Sequence, residues 1–145
     1  MTDKKFELTG ITIEHEGKTL YRIKALRDFA NVKAGDLGGY LEKESNLSHE
    51  GDAWVFGDAW VYDNAWVYDN AWVYDNARVY DNARVCDDAW VYGDAWVYGD
   101  AWVYGDAQVC NNAQVFGNAQ VFGNAWVFSD AQVFGNAWVS GDLTR

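Results

Sequence analysis

Between residues 53 and 142 one six-residue unit, Ala-x-Val-aromatic-(Gly/Asp/Asn/Ser)-(Asp/Asn), runs fifteen times without insertion or deletion. Alanine fills the first slot of every unit from Ala53 to Ala137, and valine fills the third from Val55 to Val139. A period of six is incompatible with an amphipathic α-helix, whose apolar face recurs about every 3.6 residues, and fits extended chain with side chains alternating between two faces. Slots one and three then face one way, and slots two and four, such as Trp54 and Phe56, face the other. Slots five and six, such as Gly57-Asp58 or Asp63-Asn64, carry turn chemistry, because Gly, Asn and Asp enter the left-handed backbone region at low cost. Each unit reads as a strand followed by a corner.

A short strand burying only Ala and Val is not stable alone, so the units must stack along a solenoid. Three sides closing a triangular coil use 18 residues, and the repeat therefore predicts about five coils. At about 4.8 Å between stacked strands the prism is roughly 24 Å long. The predicted fold class is all-β, a parallel β-helix over residues 51–145 in one continuous domain, with residues 1–50 as its N-terminal capping segment. Hexapeptide repeats resemble those of left-handed parallel β-helices, and the left hand is implied by that resemblance alone.

Residues 1–50 hold all six lysines and all the glutamates, with charges that nearly cancel. Ile11–Glu14 and Leu20–Ile23 are strand-like, and Glu16-Gly17-Lys18 between them predicts a hairpin turn. Leu26–Val32 and Lys33–Leu41 predict a compact, glycine-bearing connection. Such a segment suits a cap, because the end of a solenoid otherwise exposes unpaired strand edges and open core. The run from Ala25 to Tyr40, with Asn46-Leu47-Ser48-His49-Glu50-Gly51-Asp52-Ala53-Trp54-Val55, resembles the opening segment of YdcK-like hexapeptide-repeat proteins of bacteria, phages and prophages. The resemblance implies a left-handed β-helix and carries over no catalytic residue. At the other end, Leu143-Thr144-Arg145 are too few to cover a coil, which predicts closure of the C-terminal coil by another copy of the chain.

The second slot reads Trp54, Trp60, Trp66, Trp72, Arg78, Arg84, Trp90, Trp96, Trp102, Gln108, Gln114, Gln120, Trp126, Gln132 and Trp138, which includes all nine tryptophans. The fourth slot is mostly Tyr or Phe, including Tyr62, Tyr68, Tyr74 and Tyr98. Each side is expected to carry two largely aromatic ladders facing outward. Stacked aromatics stabilise neighbouring strands, and contiguous exposed apolar surface also marks an interface. The homo-oligomer is therefore expected to form through the last coil or an aromatic side. Among the breaks in the tryptophan pattern, Arg78, Arg84 and the Gln108/Gln114/Gln120 run mark particular coils.

Acid is equally regular. Residues 51–142 contain thirteen Asp, two Arg and no Glu or Lys, a net charge of 2 − 13 = −11. That is about one charge per 2 Å of axis, near the ~1.7 Å of duplex DNA. Asp58, Asp63, Asp69, Asp75, Asp81, Asp88, Asp94, Asp100 and Asp106 form the candidate acidic surface. Two readings follow: Asp serves the corners, as its exchange for Asn118, Asn124 and Asn136 suggests, or the prism is an acidic decoy for a basic, nucleic-acid-binding or defence protein of a host. Direct nucleic-acid binding by so acidic a surface is disfavoured.

No catalysis, cofactor or metal is expected. Hexapeptide acyltransferases, which this repeat resembles, use a histidine and a projecting loop. Here the histidines are His15, in the hairpin, and His49, before the repeats, and no unit carries an insertion. A degenerate acyltransferase-like protein is the weaker alternative. Cys86 and Cys110 occupy outward fourth slots on different sides, so free thiols at tolerant surface positions are expected. No apolar stretch spans a membrane or forms a signal-peptide core, which predicts a cytoplasmic protein without membrane contact, in a bacterium or a phage-infected cell.

Overall fold

The computed structural model describes residues 4–140 and the strand Asp142–Leu143. Every unit contributes a two-residue strand on its second and third slots, from Trp54–Val55 to Trp138–Val139. The fifth slot has φ between 56° and 68° in all fourteen units from Gly57 to Gly135, whether it holds Gly, Asp, Asn or Ser. The corner is therefore a left-handed residue at each turn, as the composition of that slot demands.

Each strand pairs in parallel with the strand 18 residues on, as Trp72↔Trp90, Trp90↔Gln108 and Gln108↔Trp126 do. The result is a parallel β-solenoid with three faces. The A face carries Trp60, Arg78, Trp96, Gln114 and Gln132; the B face carries Trp54, Trp72, Trp90, Gln108 and Trp126; the C face carries Trp66, Arg84, Trp102, Gln120 and Trp138. Second-, fourth- and sixth-slot amides donate to the next coil, as Trp72, Tyr74 and Asn76 do to the carbonyls of Ala89, Val91 and Gly93 at 3.0, 3.0 and 2.9 Å. The first-slot amide turns back around the corner, Ala77 donating to the Tyr74 carbonyl at 3.3 Å. Alanine and valine from Ala53 to Val133 are buried in one continuous core.

The stack has six levels, one more than the repeat predicts. Strand β3 (Leu37–Leu41) pairs in parallel with Trp60–Val61 and Leu47 bridges Val67, so these two complete a first level with Trp54–Val55, and Asp142–Leu143 completes the last. Leu41 and Leu47 take the place of valine inside the first level. Its leucines and its irregular last corner hide it from a search for the Ala-x-Val unit. The segment 33–41, expected as a connection, thus ends in a strand. Its glycines fit because a Cβ on Gly38 or Gly39 would lie 2.5 Å from the Val55 carbonyl oxygen or 2.6 Å from that of Ala59.

Strands β1 (Phe6–His15) and β2 (Lys18–Ala25) form the expected hairpin around Glu16 and Gly17, which have φ of 52° and 81° as a type I′ turn requires. β2 pairs antiparallel with β3, so the hairpin prolongs the A-face sheet. Lys5 passes beneath the first repeat, where its ammonium donates to the Ala53 carbonyl at 2.6 Å and the Gly51 carbonyl at 3.3 Å. Burial pushes the Lys5 pKa down to about 8. Asn46 is also buried and donates through Nδ2 to the Ala65 carbonyl at 2.8 Å. Backbone acceptors beneath the first repeats are thereby satisfied by side chains. No helix among the described residues is long and apolar enough to cross a membrane.

The corner geometry makes a direct prediction. A Cβ on Gly99 meets the Gly117 amide nitrogen at 2.9 Å, and φ there is +68°. Gly99→Val should cost about 2 kcal/mol, because a β-branched residue resists the left-handed region. Gly99→Asp should cost much less, since Asp81 holds the same slot one coil earlier at φ 58°. Chemical denaturation midpoints of the two variants check the order.

Candidate interaction surface

The outward slots build two ladders on each face, but rungs on neighbouring coils differ in kind. On the A face the fourth slot forms an unbroken stack: Tyr62–Tyr80, Tyr80–Tyr98, Tyr98–Phe116 and Phe116–Phe134 lie 5.0, 4.9, 5.0 and 5.4 Å apart with near-parallel rings. The 18-residue register places these rings one above another, at the strand spacing that favours stacked packing. Tyr74–Tyr92 on the B face and Tyr104–Phe122 on the C face continue the pattern at 4.9 and 5.3 Å.

The breaks in the tryptophan pattern have structural roles that the linear sequence conceals. The Arg78 guanidinium sits 4.3 Å from the Trp60 ring and 5.2 Å from Trp96; Arg84 sits 5.8 Å from Trp66 and 5.2 Å from Trp102. Each arginine is a cation between two indoles. Gln108, Gln114 and Gln120 occupy one coil, one on each face, and their Oε1 atoms accept hydrogen bonds from Tyr92, Tyr98 and Tyr104 at 2.8, 3.0 and 2.8 Å. Both arrangements are visible in the sequence only once residues 18 or 16 apart are known to touch.

Three expectations about exposure require correction. Trp54 is 1% exposed, because the cap lays Phe29 and Phe6 against it at 5.2 and 6.3 Å. Tyr62 is buried as well, with His15 of the hairpin at 5.5 Å and Tyr80 stacked on it. Cys86 and Cys110 are free thiols, yet buried and not at the surface. Each interrupts an aromatic column with a side chain shorter than the rings of that column. Trp126 Nε1 donates to Cys110 Sγ at 3.2 Å. Burial pushes the Cys86 thiol up, which opposes thiolate reactivity. The remaining candidates are accessible to differing degrees: Trp66, Trp90, Trp102, Trp126 and Trp138 are exposed, whereas Trp60, Trp72, Trp96, Tyr68, Tyr74 and Tyr98 are half-buried.

The aspartates divide by slot. Fifth-slot Asp63, Asp69, Asp75 and Asp81 each accept a hydrogen bond from the fifth-slot amide one coil on, at 3.2, 3.3, 3.1 and 3.1 Å. These carboxylates serve the corners. Sixth-slot Asp88 and Asp100 accept from Asn70 and Asn82 at 3.2 Å each, and Asp58 meets Arg22 at 3.2 Å. Asp94 and Asp106 are exposed and have no side-chain hydrogen bond or ion pair among the described residues. One potential ligand group was not legible beforehand: Asp69, Cys86 and Asp87 place donor atoms within 4.8 Å of one another. Asp69 is engaged to the Asp87 amide, and the thiol is buried. His49 stacks on Phe6 at 4.2 Å and accepts from the Lys5 amide at 3.1 Å, whereas His15 ends β1 against Trp60 at 4.8 Å.

Burial in the ladders pushes the pKa of Tyr62, Tyr68 and Tyr74 up to about 12. A phenol with a raised folded pKa contributes stability fully below its unfolded value of about 10, and that contribution is lost as pH rises through the folded value. Absorbance titration of tyrosinate should therefore show these side chains still protonated at about pH 11, followed by cooperative unfolding as pH climbs further. Titration of every tyrosine near pH 10 in the folded state would contradict the packing.

The model of the YdcK beta solenoid repeat matches residues 71–87, 77–93, 83–99 and 113–129. Three of these windows start six residues apart, so the match reads nearly one coil from each successive face. Among curated proteins none matches the chain. The chain is a parallel β-solenoid whose coils over residues 71–99 and 113–129 are similar to the YdcK beta solenoid repeat.

Proposed function

We propose that this solenoid is a non-catalytic assembly module, a rigid prism that joins further copies of itself through exposed aromatic rungs. One observation carries the reading. At the capped end Trp54 is 1% exposed, whereas at the far end of the B- and C-face ladders Trp126 and Trp138 are 44% and 71% exposed, with Phe134 on the A face at 56%. On the A and B faces the last aromatic rungs are more exposed than those under the cap, whereas on the C face Trp66 is already 40% exposed and Trp138 more so. Exposed aromatics of this size are the usual anchors of protein interfaces, and one-sided strand edges beside them supply backbone donors and acceptors for pairing. The free, buried thiols favour a reducing, cytoplasmic setting.

A second reading, capture of a basic protein in the manner of an acidic decoy, is favoured by the exposed Asp94 and Asp106, which have no partner among the described residues. Nothing in the arrangement favours an acyltransferase-like activity. The two readings differ in their response to salt, because screening weakens attraction between exposed charges and leaves apolar packing almost unchanged.

Light scattering of the full chain at low and high salt separates them. The assembly reading expects a dimer or larger species at both salt concentrations, and Trp138→Gln should shift it toward monomer. Glutamine fills the same slot at Gln120, one coil earlier on that face, so the fold tolerates the change. A wild-type monomer at all concentrations would sink self-association.

A further inference from the structure

We propose that the B-face groove between Phe56 and Tyr74 is a docking site for an arginine side chain carried by an extended basic segment of a partner protein. This names the partner chemistry of the second reading above and rests on it.

The groove arises from a single irregular rung. Where the described fourth-slot rings meet from one coil to the next, they stack near-parallel within 5.4 Å. Phe56 and Tyr74 do not: their centroids are 6.2 Å apart and their planes are turned by 84°. Phe56 instead lies edge-on to Trp72 at 5.1 Å. Tyr74 is stacked on Tyr92 on one side at 4.9 Å, and Phe56 leaves its other side without a parallel ring. The ladder opens there into a solvent-open groove of about 830 Å³, long enough to take a side chain with adjoining backbone.

The lining selects the ligand. Phe56, Trp72 and Tyr74 supply aromatic surface; Asp58, Asp75 and Asp94 supply three carboxylates; no basic residue lines the groove. Asp58 is shared with Arg22 at 3.2 Å and Asp75 accepts from the Gly93 amide at 3.1 Å, which leaves Asp94 as the carboxylate without a side-chain partner. Aromatic faces ringed by acid attract an organic cation. A planar guanidinium stacks on rings and pairs with carboxylates at the same time, which a compact, strongly hydrated ammonium does not. The chain already stacks guanidinium on aromatic rings on its other two faces, and Arg22 combines such stacking on Tyr40 with a contact to Asp58. Arg78 lies between Trp60 and Trp96, and Arg84 lies between Trp66 and Trp102, whereas the B face carries Trp72 in that coil and no arginine.

The test titrates the full chain with a blocked Gly-Arg-Gly peptide and with its lysine and citrulline counterparts, following the Trp72 and Tyr74 ring signals by NMR. The arginine peptide should shift these signals saturably, the lysine peptide should bind at least about threefold more weakly, and neutral citrulline should not bind. Asp94→Asn should weaken arginine binding about threefold. Asp100→Asn, on the neighbouring edge, should leave it unchanged. Asparagine occupies the sixth slot elsewhere, as in Asn76 and Asn118, so both variants keep the corner. Equal weakening by the two variants would overturn the groove while leaving a general acidic capture standing. Absence of binding, or equal affinity for arginine and lysine, would overturn the proposal outright. Trp138→Gln lies outside the groove, so arginine binding by that variant is expected whether or not the assembly reading fails.

Discussion

The backbone ladder between residues 18 apart is the constraint on which the other features of this solenoid depend. Each unit sends three amides to the next coil, and its first-slot amide closes the corner before it, as Trp72, Tyr74, Asn76 and Ala71 illustrate. That pattern holds only while every unit has the same length and every corner takes one left-handed residue. The first demand explains the absence of insertions over residues 53–142, and the second explains why the fifth slot admits only Gly, Asp, Asn and Ser. Once both are met, Ala and Val stack into a narrow core with no further design. Neither contributes much apolar area singly, so the core is the product of repetition.

Register also converts sequence distance into surface chemistry. Residues 18 apart share a column, so a tyrosine repeated at that interval becomes a ring stack, and an arginine between two tryptophans becomes a cation held between indoles. The glutamine coil acts differently, since each of its three Oε1 atoms receives a tyrosine hydroxyl from the coil before it. Even the aspartates divide by position: the fifth slot supplies an acceptor for the amide above it, and the sixth slot points acid or amide outward. Much of the formal charge is thus tied to building corners, and a smaller exposed part remains for a partner.

The N-terminal segment joins this lattice as well as covering it. β3 is the first parallel rung of the A face, and the antiparallel hairpin beyond it presents a different edge. Changing from parallel to antiparallel pairing ends the stack without leaving a repeat-compatible strand exposed at that side. Lys5 and Asn46 then place side-chain donors on carbonyls beneath the first repeats.

The strands, corners, continuous Ala-Val core and outward aromatics were legible in the sequence because they follow from a local period and from the backbone preferences of single residues. So was the hairpin, through Glu16 and Gly17 at its turn. Family resemblance implied a β-helix from residues near the first coil, and the family match falls in the later repeats, which share the same coil geometry. Tertiary structure decided what local pattern does not encode: that Leu41 and Leu47 replace valine in a sixth coil, that Trp54 and Tyr62 lie under the cap, and that two cysteines in outward slots are buried. It also decided that Phe56 turns away from Tyr74 and opens a groove in a ladder of otherwise stacked rings. The physical reason is common to all of these. Burial and ring orientation depend on what lies one coil away or in the cap, and a slot's own residue type specifies only which side of the strand it faces.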